Sequence, residues 1–416
     1  MRKLSYAAAA IFLAAGVGSA AAQTAPVELT LMTSYGPNQS RGVVLQKLAD
    51  QFNTDHTGRI KVNVQVNPDH PAMQAKIRTM IAAGAPPDIF HYNYNAHDLS
   101  LPQSGQLLDF TPYMDDAWKA HFNQGDLDRF TVDGKLISIP FQQSPAMFYY
   151  DKPLLAKAGI TEFPKTWNDL LAACDALQKN GTACISMFTK DDAWHASNAF
   201  SYVAACYGGL DVFNGPTLQT DAVVKAFGVL KQLFGYATKD TVGANYDVSS
   251  KNFLLSRTAM IIDGPWAIGG MEKQFTTVGD IQVAKAPTCD DAKAPDGFIV
   301  TDAPSPMAAG AQSDKARADA IAEWFKYFTS DASATLFAEE GSQPVAFHQT
   351  FDQTKVTPLF ASYLAAASNA PGNVISLTRT LLPSAQTALP AILESLALDQ
   401  ISPDEAAQQL QAANVE

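Results

Sequence analysis

The sequence predicts an α/β protein built as two lobes, each an open sheet flanked by helices. Three observations carry this. The chain starts with alternating apolar residues that give way to helical spacing and then to alternation again. The same succession restarts in the middle of the chain, behind a helix-capping signal. A length of 416 residues is enough for about two domains, each with its own core.

Taken in order, Val27-Glu28-Leu29-Thr30-Leu31 alternates as a strand, and Val44, Leu45, Leu48 and Phe52 then recur at helical spacing. Ile60, Val62, Val64 and Val66 alternate again, completing a strand–helix–strand unit. A second unit follows, with Met73, Ile77 and Ile81 on a helix, Gly84 as its stop, and Pro86-Pro87 leading into a strand at Asp88-Ile89-Phe90. The second lobe opens at Thr166-x-x-Asp169, an N-cap with an acidic residue three positions on, ahead of Leu170, Leu171, Cys174 and Leu177. Further helices are expected at Thr220–Phe234 and Ala318–Phe328. The last begins at Ser402-Pro403-Asp404-Glu405, which combines N-cap, first-turn Pro and capping Glu.

The N-terminus reads as an export signal: Met1-Arg2-Lys3, a short apolar run, then a small-residue cleavage site before Gln23. Residues 1–22 are therefore expected to be removed and the mature protein to be periplasmic. No Cys stands at the cleavage point to accept a lipid. The formal net charge of −12, without Lys/Arg clusters, disfavours nucleic-acid binding. Cys174, Cys184, Cys206 and Cys289 permit three pairings, which sequence does not rank beyond the nearness of Cys174 to Cys184; buried free thiols stay open.

No G-x-S-x-G, H-E-x-x-H or G-x-x-x-x-G-K-[ST] signature occurs, so no catalytic residue, cofactor or metal site is expected. Neighbouring carboxylates such as Asp191-Asp192 read as solvated surface rather than a glycosidase pair. Tyr149-Tyr150 could suggest paired iron-binding tyrosinates, but the pair lies in a hydrophobic strand.

Three segments, in order, resemble the maltodextrin-type solute-binding proteins of ABC importers. They are Ala82-Ala83-Gly84 with Pro87-Asp88; Asp133-Gly134-Lys135 through Ile139-Pro140, Met147–Lys152 and Pro164-Lys165-Thr166-Trp167; and Phe253–Trp266, similar to F-x-x-G-x-x-A-M-x-x-x-G-x-W. Ser256 and Asp151 depart from the usual Gly and Asn. The resemblance implies a periplasmic-binding-protein fold with the ligand cleft between lobes. These would be residues 25–141 with 301–346 and 145–298 with 350–416, joined by crossovers near 140–144, 298–301 and 345–350. It implies no enzyme, a sugar ligand captured by hinge closure, a monomer, and delivery to a membrane permease. Sugar phosphate or glycerol phosphate is the alternative ligand, and a periplasmic glycan-active enzyme the alternative class.

A sugar needs flat aromatic rings and planar polar groups. Trp266 matches the family position that stacks on sugar, and Trp194, with Asp192 and His195 beside it, resembles the second lobe's aromatic. In the first lobe, Tyr35 and Asn38 follow the first strand, and Tyr94, Asn95 and Asp98 follow the strand at Asp88–Tyr92, at the strand ends where open α/β sheets bind ligands. By the resemblance, Gln142 and Gln143 face the cleft at the first crossover, and Gln343 at the last. The competing readings are core packing for the tryptophans and ordinary turns for the loops. Trp118, Trp167 and Trp324 are expected to pack. The lack of arginines in these loops favours a neutral sugar.

Overall fold

A computed structural model describes residues 25–92 and 105–415. The expected leader and three expected site residues, Tyr94, Asn95 and Asp98, lie outside the described residues.

The first strand–helix units form as the periodicity predicts. β1 (Val27–Thr33) pairs in parallel with β2 (Ile60–Val66) and with β3 (Ile89–His91). The connecting helices are α1 (Ser40–Asp55) and α2 (His70–Ala82). α1 buries Val44, Leu45, Leu48 and Phe52, the face its spacing marks, and α2 buries Met73, Ile77 and Ile81.

Two long strands then run through the whole molecule. β4 (Ser138–Asp151) pairs antiparallel with β8 (Ile299–Ala309), from Ser138 opposite Ala308 to Ala146 opposite Val300. The ladder is irregular between Asp302 and Pro306. Pro306 there faces Pro140, and neither can donate a ladder hydrogen bond. The irregular stretch carries Gln142, Ser144, Asp302 and Ser305, so the break falls where polar side chains are needed.

The other strands of this sheet are β5 (Ala183–Ser186), β6 (Thr258–Asp263), β7 (Ile281–Ala284) and β9 (Asn373–Ile375). The sheet runs β2-β1-β3-β8-β4-β6-β5, with β7 also on β4 and β9 on β8. Beside β4 and β8, among the described residues, lie its two largest cores. One joins Leu29, Leu45 and Phe141 to Met307, Trp324 and Phe337; the other joins Phe148, Trp167 and Leu230 to Val300, Leu389 and Leu410. Trp118, Trp167 and Trp324 are all buried.

The second core is covered by α3 (Trp167–Lys179), α4 (Trp194–Gly208), α5 (Asp221–Gly235), α6 (Tyr246–Leu254) and the C-terminal helix at Pro403–Ala413. Thr166 caps α3 by accepting from the Asp169 N–H, and Ser402 with Glu405 forms a complete capping box. The helix at Lys315–Phe328 starts three residues before the sequence expectation, behind an Asp314 cap. Both cysteine pairs are bridged, Cys174 to Cys184 and Cys206 to Cys289, which overturns the free-thiol alternative. Tyr149 and Tyr150 are strand neighbours whose hydroxyls go to Gly264 O and Gln282 Oε1. Successive side chains of a strand point to opposite faces, so the two cannot share a metal.

Candidate ligand cleft

The carboxyl ends of the parallel strands converge on one cavity of about 490 Å³, within the range of small-molecule sites. β1 leads into Ser34 and Tyr35, and β3 ends in His91. β5 leads into Phe188, Lys190, Asp191, Asp192 and Trp194, and β6 into Trp266; all line the cavity. A broader, more open depression lies along the outer face of α1.

Trp266 is held by its own local sequence. A Cβ on Gly264 would overlap the Trp266 ring, so glycine lets the indole fold back over the strand end. Its Nε1 donates to the Tyr246 hydroxyl at 2.8 Å, and that hydroxyl donates to Asp263 Oδ2 at 3.0 Å. Trp194 stands beside it, ring centroids 5.2 Å apart at 58°. The backbone before Trp194 is left-handed at Ala193, with φ 46° and ψ 41°. Such a conformation costs roughly 1–2 kcal/mol in a non-glycine residue. The turn is pinned by Ala193 N–H donating to Lys190 O at 2.8 Å and Lys190 N–H to Ala244 O at 3.0 Å. Strain stored beside a cleft, where it aims an indole, is characteristic of functional loops.

The opposite wall is polar. Tyr35 donates from its hydroxyl to Gln142 Oε1 at 3.1 Å and bonds His91 Nε2 at 2.6 Å. Gln142 Nε2 donates to Ser144 Oγ at 2.7 Å, which fixes the amide orientation. Gly42 lets the 35–36 turn lie against α1, since a Cβ there would sit 2.7 Å from Tyr35 O. Asp302 gathers three elements: Arg379 donates to it at 2.7 Å, Ser376 at 2.6 Å and Trp194 Nε1 at 3.2 Å. Burial alone would raise its pKa; Arg379, Ser376 and Trp194 together hold it below the usual value. Asp192 is pushed up, by burial first and then by Asp302 and Asp191, against the pull of Arg379.

Of the expected residues, Tyr35, Gln142, Asp192, Trp194 and Trp266 line the cavity. Asn38 is exposed outside it, and Gln143 is not on its wall. His195 is fully buried beneath the cleft, bonded to Ser249 Oγ at 2.8 Å and 3.7 Å from Asp263. Gln343 is buried too, and its Nε2 ties the crossovers by donating to Gln143 O and Pro344 O. The expected lack of arginines is corrected: Arg41 and Arg379 both line the cavity. Arg41 was findable, since it sits in the first turn of the helix that follows β1. Arg379 carried no local signal; it is brought in by β9.

The profile of the bacterial extracellular solute-binding protein family matches residues 36–335 of the chain. A putative binding protein of Brucella abortus is 31% identical over 150 residues, 34% of this chain and 34% of that protein. The chain thus spans about a third of the length of these Brucella relatives. The maltodextrin-binding protein of Bacillus subtilis is 27% identical, over 63% of this chain and 61% of that protein. Among solved structures, a chitin oligosaccharide binding protein superposes with a TM-score of 0.83 at 21% identity, covering 94% of this chain and 98% of that one. A structure from work on xylan utilization by Caldanaerobius polysaccharolyticus gives 0.83 at 22%, covering 93% and 99%. The two-lobed fold is that of these binding proteins. Among the described residues no helix is long and apolar enough to cross a membrane.

Proposed function

Because the chain belongs to the bacterial extracellular solute-binding protein family, we propose that it is an exported, monomeric, periplasmic receptor that binds a carbohydrate in this cleft, returns it unaltered and delivers it to the permease of an ABC importer. The observation that carries the reading is the pairing of two tryptophans, 5.2 Å apart, with a facing wall of Gln142, Ser144 and Tyr35. Indoles cover the C–H faces of a sugar ring, and amide and hydroxyl groups both donate to and accept from its hydroxyls. That relatives are named for maltodextrin and for chitin oligosaccharide supports the same ligand class.

The lobes are taken as 25–141 with 301–346 and 145–298 with 350–416, hinged at 140–144, 298–301 and 345–350. Ligand binds one wall first, and hinge closure brings the other onto it. Only a higher affinity for the closed state drives that closure, since a ligand bound equally by both states shifts nothing. The test is a thermal-shift screen of ligand-stripped protein against mono- and oligosaccharides, peptides, metals and phosphates. A ligand at a hundred times its Kd adds about 2.7 kcal/mol to native-state stability. A shift with sugars, lost in Trp266→Ala, is expected; a shift with peptides or metals alone overturns the carbohydrate assignment.

A further inference from the structure

We propose, resting on the carbohydrate reading above, that the sugar carries a single carboxylate, as in a uronic acid or uronate oligosaccharide, and that Arg41 holds it. Arg41 is 8% exposed and lines the cavity. Its Nε donates to Gln39 Oε1 and its Nη1 to Gln142 Oε1, both at 3.0 Å, so its hydrogen-bond acceptors are neutral amides. Among the described residues no carboxylate lies within ion-pair distance of it. The guanidinium is pinned instead between the Tyr35 ring, 4.0 Å from its centroid, and the Trp266 ring at 5.0 Å.

A guanidinium has five N–H donors, and two are used. Asp263 acts on the guanidinium electrostatically without forming an ion pair with it; a buried cation with no paired carboxylate is costly, and a bound anion relieves that cost. The other cleft arginine is not in this position, since Arg379 is ion-paired with Asp302. α1 adds to the positive field: its first turn has no acidic residue and Gln39 makes no side-chain cap bond. The neighbouring histidines respond to that field. His70 is lowered to about 4, and His91 well below its ordinary value, by burial first and then by positive charges that include both arginines.

One negative charge fits better than two. Asp69, Asp191, Asp192, Asp247 and Asp302 line the cavity beside Arg41, Arg379 and Lys190, and against that acidic lining a phosphate ester's charge of about 1.5 to 2 is less favourable than a single carboxylate's. A carboxylate also matches the planar donor fork in a bidentate pair.

The test is titration calorimetry of the ligand-stripped, full-length mature protein with glucuronate, galacturonate and their oligomers, the corresponding methyl esters, neutral aldoses, and glucose 6-phosphate. The expected result is that a uronate binds more tightly than its own methyl ester and its neutral parent, by about 10- to 100-fold, and weakens as salt rises. Arg41→Gln removes that preference and Arg41→Lys restores part of it. The comparison of acid with ester uses unaltered protein, so it stands even if the variants fold poorly. Equal or tighter binding of neutral sugars overturns the carboxylate inference and leaves the carbohydrate reading intact. Tighter binding of the phosphate overturns the single-charge assignment. If no sugar of any charge binds, both readings fall.

Discussion

The indole nitrogen of Trp266 donates to the Tyr246 hydroxyl at 2.8 Å, so the cleft aromatic is anchored through Tyr246 to Asp263 at the end of β6. Trp266→Ala removes the ring and its stacking, and should weaken sugar binding by about 2 kcal/mol, the order of a buried aromatic contact. Tyr246→Phe leaves the ring but frees it, and strands a buried donor and carboxylate. It should cost about 1–3 kcal/mol of stability and a smaller share of affinity. Calorimetry and denaturant unfolding on the two variants check this. Unchanged affinity in Trp266→Ala contradicts the site.

Gly269 lies against the first turn of α1: a Cβ there would stand 3.1 Å from Ser40 Oγ. The contact joins residues on opposite sides of the cleft, so Gly269→Val should hold the two walls apart. In small-angle scattering the variant should show a larger radius of gyration than the parent under saturating ligand, and its affinity should fall. A compact, fully active variant would show that this contact does not limit closure.

The two disulfides close loops of very different length, with sequence separations of 10 and 83 residues. On the loop-entropy account, opening the shorter costs about 2.7 kcal/mol and the longer about 4.5 kcal/mol. Cys174→Ser/Cys184→Ser should therefore lose less stability than Cys206→Ser/Cys289→Ser in chemical denaturation. The reverse order would place the contribution in packing rather than in chain entropy.

His70 is depressed to about 4 by burial and then by Arg379 and Arg41. The folded state keeps it neutral where the unfolded chain binds a proton, so stability falls as pH drops from about 6.5 to 4. The full loss is about 3 kcal/mol. His70→Gln should reduce the stability difference between pH 7 and pH 4 by that order, read from urea midpoints. An identical pH profile would show that the ring is not held neutral.

The elements that use local rules were legible in the sequence: β1, α1, α2, the Thr166 cap and the Ser402 capping box all follow from periodicity and capping. So was the Gly-Pro-Trp turn that presents Trp266. The family departures were visible but their relation was not: Ser256 adopts φ 53° and its Oγ donates to Asp151 Oδ2 at 3.2 Å, so the two substitutions meet. Glycine would relieve the left-handed backbone at the cost of that bond, which accounts for Ser being tolerated. Residues brought together over long separations were not legible. Arg379 and Asp302 are 77 positions apart, and Arg41 and Gln142 101 apart. His195 was misplaced because a helix start sends one side chain to the cleft and the next into the core.

Whether the protein is a receptor that returns its sugar intact is tested by calorimetric titration of ligand-stripped protein with the best-shifting sugar, followed by chemical analysis of the sugar released on unfolding. Binding is expected to be one-to-one and roughly 30-fold weaker in Trp266→Ala, and the sugar is expected to be recovered unchanged. A sugar recovered cleaved or modified, or an affinity unchanged by removal of the Trp266 ring, would contradict this reading.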